Sequence, residues 1–361
     1  MKILYAIQGT GNGHITVAKE TIPLLKKRGE VDILISGCQV DVDLPYEIKY
    51  RLNGLSFVFG KNGGIDYFET YKKSRIKQLF KEIQQLPVEE YDLIFSDFEP
   101  VSAWACYLKN KTCVGFSHQA AVVAKNSPKP SKKDLIGKAV LKYYAPSKTR
   151  YGFHYLLYDK NIFTPVIRSE IRNIKPSNNG HYTVYLPAFS DRRIIKLLSA
   201  FPSIKWEIFS KHSENVYETE NNIIKPVNSD GFIKSIASAE GVLCGAGFQT
   251  PAEVLFLKKK LIVIPMKGQY EQQCNAVALQ MLGVPVLKNL KLKQYQKIKQ
   301  WIGDDQKVLL AFPDETEEIL DLIIEKHYTN AAAPSLPKTN IEKSSGFREM
   351  LLKKIFYQLG S

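Results

Sequence analysis

Residues 238–276 read SAEGVLCGAGFQTPAEVLFLKKKLIVIPMKGQYEQQCNA, and the reading of this stretch decides the fold. Gly241 to Cys244 is a short apolar run leading into Gly245-Ala246-Gly247, which predicts a buried strand closed by a tight turn. Thr250-Pro251 then opens a helix, because proline early in a helix has no N–H to leave unsatisfied. Lys260 to Ile264 reads as a second buried strand, and Gly268 to Met281 as a second loop and helix. The unit is strand, Gly-rich turn, helix, strand, loop, helix.

Such a turn suits an anion. The free N–H groups at the start of the following helix point into the loop, and the helix dipole adds partial positive charge. Gly245 and Gly247 let a diphosphate approach the backbone, and the Thr250 hydroxyl can donate to it. Glu253, one turn further on, can accept both hydroxyls of a ribose. An ordinary strand-to-helix turn also favours glycine, so the glycines alone leave both readings open.

The whole stretch is more specific. It resembles the donor-nucleotide signature of the GT-B glycosyltransferases, which include the UDP-glycosyltransferases and the peptidoglycan lipid-linked GlcNAc transferase. The matching positions are Gly245, Gly247, Phe248, Gln249, Thr250 and Glu253, then Glu271, Gln272, Asn275 and Ala276. The resemblance implies an α/β chain of two doubly wound Rossmann-like domains facing a cleft. It implies that residues 247–250 hold the diphosphate, Glu253 the ribose, and Glu271 with Gln272 the donor-sugar hydroxyls. The loop from Val227 to Asp230 should receive the base. One departure is Gly245, where many UDP-glycosyltransferases carry a histidine, so backbone amides must bear more of the phosphate contact.

The N-terminal half carries a second Gly-rich turn, QGTGNGH at residues 8–14, after the apolar run from Lys2 to Ile7. A dinucleotide reading would want an acid at the end of the next strand, which ends instead in Ser36-Gly37. The better match is the first loop of the same GT-B families. It implies that Gly11, Asn12 and Gly13 edge the cleft and that His14 is the general base, a task its ordinary pKa near 6.5 suits. A histidine that only caps its helix or touches substrate is the alternative. Asp97 ends the apolar run from Asp92 to Ser96, where the resemblance places the partner of the base, although an aspartate there can also cap the next helix. His118 closes another strand at the same edge and is read as an acceptor contact, an alternative base, or a structural helix-start residue.

The length of 361 residues suits two domains, here 1–171 for acceptor and 182–327 for nucleotide sugar, joined by a linker at 172–181. The tail 328–361 ends in a stripe of Phe347, Leu351, Ile355 and Leu359, read as a helix packing back on the first domain. Elsewhere, two strands are expected within 46–59 and a helix over 66–86, and residues 153–158 and 161–164 are read as finishing the first domain. Apolar content is 44 %, and the first apolar run is too short for a signal peptide. Five scattered cysteines with no C-x-x-C pair argue against zinc or a disulfide framework and for a cytoplasmic chain.

Net charge is +14. The segment 125–150, from Lys125 to Arg150, carries eight basic residues against the single acid Asp134, with Leu135, Val140 and Leu141 among them. This composition is that of a basic membrane-surface segment, or of a solvated surface helix, and predicts a peripheral location on the inner face of the membrane. No helix-turn-helix, zinc or aromatic RNA-binding pattern supports a nucleic-acid partner. Asp41-Val42-Asp43 is the one Asp-x-Asp and lies in a loop, so no catalytic metal and no cofactor are expected, the nucleotide sugar being substrate. The leading function is an inverting, metal-independent sugar transferase. A sugar-nucleotide 2-epimerase and a non-catalytic nucleotide-sugar-binding protein are the alternatives.

Overall fold

A computed structural model describes residues 1–9, 11–37, 44–55, 59–60, 64–65, 76–132 and 134–329. Asp41 to Asp43, the first half of the 66–86 helix and the stripe at 347–359 lie outside the described residues.

In chain order the strands are β1 (Lys2–Gln8), β2 (Glu30–Ser36), β3 (Tyr50–Leu52), β4 (Phe59–Gly60), β5 (Gly64–Ile65), β6 (Leu93–Asp97), β7 (Val114–Phe116), β8 (Thr149–Phe153), β9 (Ile162–Phe163), β10 (His181–Tyr185), β11 (Lys205–Ser210), β12 (Tyr217–Thr219), β13 (Asn222–Pro226), β14 (Gly241–Gly245) and β15 (Lys260–Ile264). They form two separate sheets, ordered β3-β2-β1-β6-β7-β8-β9 and β12-β13-β11-β10-β14-β15, beside a small β4-β5 ladder. The first sheet is parallel throughout, and the second is parallel except for the antiparallel edge strand β12. Two doubly wound sheets were the expectation, and two are found.

Covered parallel strands are apolar on both faces, and these are. Along β1, Ile3, Tyr5 and Ile7 face one core cluster, while Leu4 and Ala6 face another. Along β14, Val242 and Cys244 face one cluster and Leu243 the other. Strand order reverses between β1 and β6 in the first sheet and between β10 and β14 in the second. Loops diverge at such points and leave a crevice beyond the carboxyl ends of the strands. The two crevices face one another.

Of the helix expected over 66–86, the described part is Ile76–Gln85. Before the linker the first sheet ends in Thr149–Phe153 and Ile162–Phe163, and the run between them is a loop in which Leu157 is exposed. One expectation shifts. The helix Thr316–Ile324, expected within the second domain, packs on the first: Ile319, Leu320 and Ile323 join the core cluster of β1, and Arg28 donates to Asp321 at 2.5 Å. The chain therefore crosses between domains twice.

Candidate active site

Between the two crevices lies a cavity of about 880 Å³. From the first domain, Gly11, Gly13, His14, Asp97 and His118 line it; from the second, Gly245, Gly247, Phe248, Gln249, Thr250, Glu271 and Gln272 do. Asn12 opens the helix Asn12–Lys26 that carries His14. Gly11 is that helix's N-cap with φ 115°, a left-handed geometry that favours glycine.

His14 and Asp97 stand on either side of the β1/β6 reversal, and His14 Nδ1 lies 2.8 Å from Asp97 Oδ1. A carboxylate can only accept, so Nδ1 carries the proton and Nε2 is left as an acceptor. Burial disfavours the imidazolium, but the Asp97 carboxylate, assisted by Glu271, outweighs it and raises the His14 pKa above its ordinary value. Asp97 is not the helix cap. That role belongs to Glu99, whose carboxylate accepts from the backbone N–H groups of Val101 and Ser102. Between the two acids, Phe98 adopts φ 53° and stacks on Tyr144. Such a conformation costs about 1–3 kcal/mol in a non-glycine residue and occurs where a site demands it.

His118 is held differently. Its Nδ1 lies 2.8 Å from the Phe153 carbonyl oxygen and its Nε2 2.8 Å from the side-chain amide oxygen of Asn275, and the neutral ring donates to one of them. Both ring nitrogens are occupied, so neither is free to take a substrate proton. Burial lowers its pKa. The ring stacks on Phe248 at 3.7 Å between centroids and 6° between planes. His154 lies behind it, its pKa pushed down to about 2 by burial and by the nearby His118.

The Gly-rich turn follows β14. A Cβ built on Gly247 meets nothing within 4 Å, and one on Gly245 meets only Gln272 Oε1 at 3.8 Å, so this face of the turn is open to a ligand. The helix Gln249–Phe256 begins at the turn and directs its first N–H groups there. Behind it, the Tyr155 hydroxyl donates to the Gly247 and Phe248 carbonyls, both at 3.1 Å, and Asn275 donates to the Ala246 carbonyl at 3.2 Å. The turn is braced from both domains.

Glu253 is a correction. Expected to face a ribose, it is fully buried and does not line the cavity. Arg168 grips both its oxygens, and Gln249 donates to one of them at 3.0 Å. A ribose would reach it only if Arg168 yielded. Gln272 also has another duty, accepting from the Met266 N–H at 2.9 Å. Glu271 keeps one oxygen on Gln119 Nε2 at 3.0 Å, a bond that crosses between domains.

The sequence reading missed Gln119, Arg168, Lys211 and His212. Lys211 is the single lysine or arginine among the described residues lining the cavity. It follows β11 without any local motif, and Arg168 pairs with a residue 85 positions away, so neither left a signal in the chain. Gln119 directly follows His118 and was within reach of the same argument.

The basic segment also changes. Leu141, expected to insert into a membrane, is buried against Tyr270 and Cys274 of the second domain. Lys129 donates to the carbonyls of Ala124, Lys125 and Ser127. Lys125, Lys132, Lys138, Lys142, Lys148 and Leu135 remain exposed. Among the described residues, no helix is long and apolar enough to cross a membrane, and no three His, Cys, Asp or Glu side chains converge as metal ligands.

Two facing Rossmann-like domains with a donor-type turn opposite a histidine–carboxylate pair define the GT-B class. The profile described as Glycosyl transferase family 1 matches residues 1–303, and the chain belongs to that family. No curated protein matches it. Among solved structures it is similar to the S. aureus MnaA–UDP co-structure (13 % identity, 94 % of this chain and 100 % of that one, TM-score 0.59). It is also similar to the spinosyn rhamnosyltransferase SpnG (13 %, 92 % and 97 %, 0.57) and to Acinetobacter baumannii MurG (14 %, 90 % and 99 %, 0.54). At these identities the likeness is one of fold.

Proposed function

We propose that the protein is an inverting, metal-independent glycosyltransferase that moves a hexosyl or N-acetylhexosaminyl group from a UDP-sugar to a hydroxyl of a lipid-linked or other cell-envelope acceptor. The observation that carries this reading is the His14–Asp97 pair, 2.8 Å apart, placed across one cavity from the open Gly-rich turn. Family membership supports sugar transfer itself. A structural neighbour with UDP and another with thymidine diphosphate support a nucleoside diphosphate donor.

In this reading Nε2 of His14 takes the acceptor proton, and Asp97 stabilises the imidazolium that forms. The acceptor oxygen attacks the anomeric carbon from the side opposite the diphosphate. The bond to the diphosphate breaks, and its electron pair leaves with the phosphate oxygen. The N-terminus of the helix Gln249–Phe256, Thr250 and Lys211 meet the developing charge. The exposed lysines of 125–150 support a peripheral role on an anionic membrane face, where a lipid-linked acceptor would reside.

The test is UDP release from UDP-hexoses and UDP-N-acetylhexosamines, with and without lipid acceptors. Acceptor-dependent release that disappears in His14→Ala supports the reading, and its absence across the panel refutes it. A second reading, sugar-nucleotide 2-epimerase, draws on a neighbour described as a UDP-N-acetylglucosamine 2-epimerase (11 % identity, TM-score 0.58). Epimer formation without acceptor would establish that one instead.

A further inference from the structure

Gln119 lies at the start of the helix His118–Val122 in the first domain and lines the cavity, yet is only 7 % exposed. Its Nε2 donates to Glu271 Oε2 of the second domain at 3.0 Å. A carboxylate oxygen accepts and does not donate, so chemistry fixes which end of the amide faces Glu271. The flipped amide would set oxygen against oxygen. The Gln119 Oε1 atom is therefore held as an acceptor, and it is buried with no partner among the described residues. Leaving a buried acceptor unsatisfied is unfavourable, and such an atom in a cavity wall calls for a ligand donor.

It is not alone. Asp97 Oδ1 faces the His14 ring, while Asp97 Oδ2 is buried and without a partner; Gln269 Oε1 is in the same condition. All three side chains line the cavity, and His14 Nε2 presents a further acceptor. A wall of acceptors around one space fits a ligand covered with donors. That is the chemistry of a sugar, with several hydroxyls, rather than of an apolar or deoxygenated group.

We propose that Gln119 is a specificity-determining residue: its Oε1 accepts a hydroxyl or amide N–H of the sugar being transferred, beside Glu271. The inference rests on reading the cleft as a nucleotide-sugar site and adds to it a residue from the opposite domain. Glu271 orients the amide, and the amide reads the sugar. A sugar lying against both side chains touches both domains at once.

The experiment compares wild type with Gln119→Met, which keeps length but loses both hydrogen-bonding ends, and with Gln119→Ala. Calorimetry measures affinity for UDP, UDP-glucose, UDP-galactose and UDP-N-acetylglucosamine, and thermal melts confirm folding. In wild type at least one sugar nucleotide binds tighter than UDP. In both variants that advantage shrinks roughly three- to tenfold while affinity for UDP itself stays the same, as expected for one neutral hydrogen bond. A merely structural role would weaken UDP and UDP-sugar alike, and that result overturns the proposal. So does an undiminished sugar advantage in the variants, or the lack of one in wild type while UDP binds. If wild type binds none of the four, the nucleotide-sugar reading itself fails, and this inference with it.

Discussion

Arg168 holds Glu253 through both carboxylate oxygens, at 2.7 and 2.6 Å, and the carboxylate is fully buried. The arginine precedes the helix Ser169–Asn173 at the end of the first domain, and the acid sits inside the helix that follows the Gly-rich turn. The turn is thereby tied to the neighbouring domain. Breaking a buried pair by removing one partner leaves a charge uncompensated, at a cost of about 3–5 kcal/mol. Arg168→Ala and Glu253→Gln should each destabilise the protein by about that amount in urea unfolding. A loss under about 1 kcal/mol in both would mean that the pair contributes little.

The His14–Asp97 pair makes a pH prediction. The base works when neutral, and its pKa is raised, so kcat/KM should fall as pH drops through a value above 6.5. Asp97→Asn removes the carboxylate and leaves burial as the main influence, so the acid limb should move to lower pH. Turnover should drop on the order of 10²–10⁴-fold. Stability follows the same sign. The stabilisation of the imidazolium by Asp97 is fully present below the unfolded pKa near 6.5 and fades as pH rises through the raised folded value. The stability gap between wild type and Asp97→Asn should then be wider at pH 6 than at pH 9. An acid limb unmoved by the substitution would remove His14 as the base.

Lys211 offers a charge test. Lys211→Gln should weaken UDP about fivefold, or about 1 kcal/mol for an exposed contact. Uridine, lacking phosphate, should bind both proteins equally. Equal losses for the two ligands would show that Lys211 does not meet the diphosphate.

The exposed lysines of 125–150 can be tested by vesicle sedimentation. The set to neutralise is Lys125, Lys132, Lys138 and Lys142, all exposed, and not Lys129, whose ammonium is engaged by backbone carbonyls. Wild type should pellet with anionic but not neutral vesicles, less so at high salt, and the glutamine variant should stay in solution. Recovery of wild type in the supernatant throughout would end the membrane proposal.

Strands and turns were legible because their causes are local. Three apolar residues between glycines at 241–245, or an apolar run before QGTGNGH, specify a buried strand and a turn wherever they occur. The edge strand β12, Tyr217–Thr219, was not read, since two of its three residues are exposed and little apolar pattern remains. At the site, His14 was singled out by the Gly-rich turn that follows β1 and Asp97 by its place at the end of β6, and the structure sets the two side by side. Glu253 was misread because its environment is set by Arg168, and nothing near either residue announces a partner 85 positions away. Leu141 looked ready for a membrane for the same reason: Tyr270 and Cys274, which cover it, belong to the other domain.

The helix Thr316–Ile324 has a consequence for the order in which the protein is made. Ile319, Leu320 and Ile323 complete the core beneath β1, a strand that begins at residue 2. On the ribosome, the first half of the chain must wait for this helix while every strand of the second sheet is translated. At about 5–20 residues per second that delay is on the order of ten seconds. The second domain's sheet, contiguous in sequence, can settle first and serve as a scaffold for its elder neighbour. A ribosome stalled before residue 316 would therefore hold an N-terminal half with an exposed apolar face, a natural client for a chaperone.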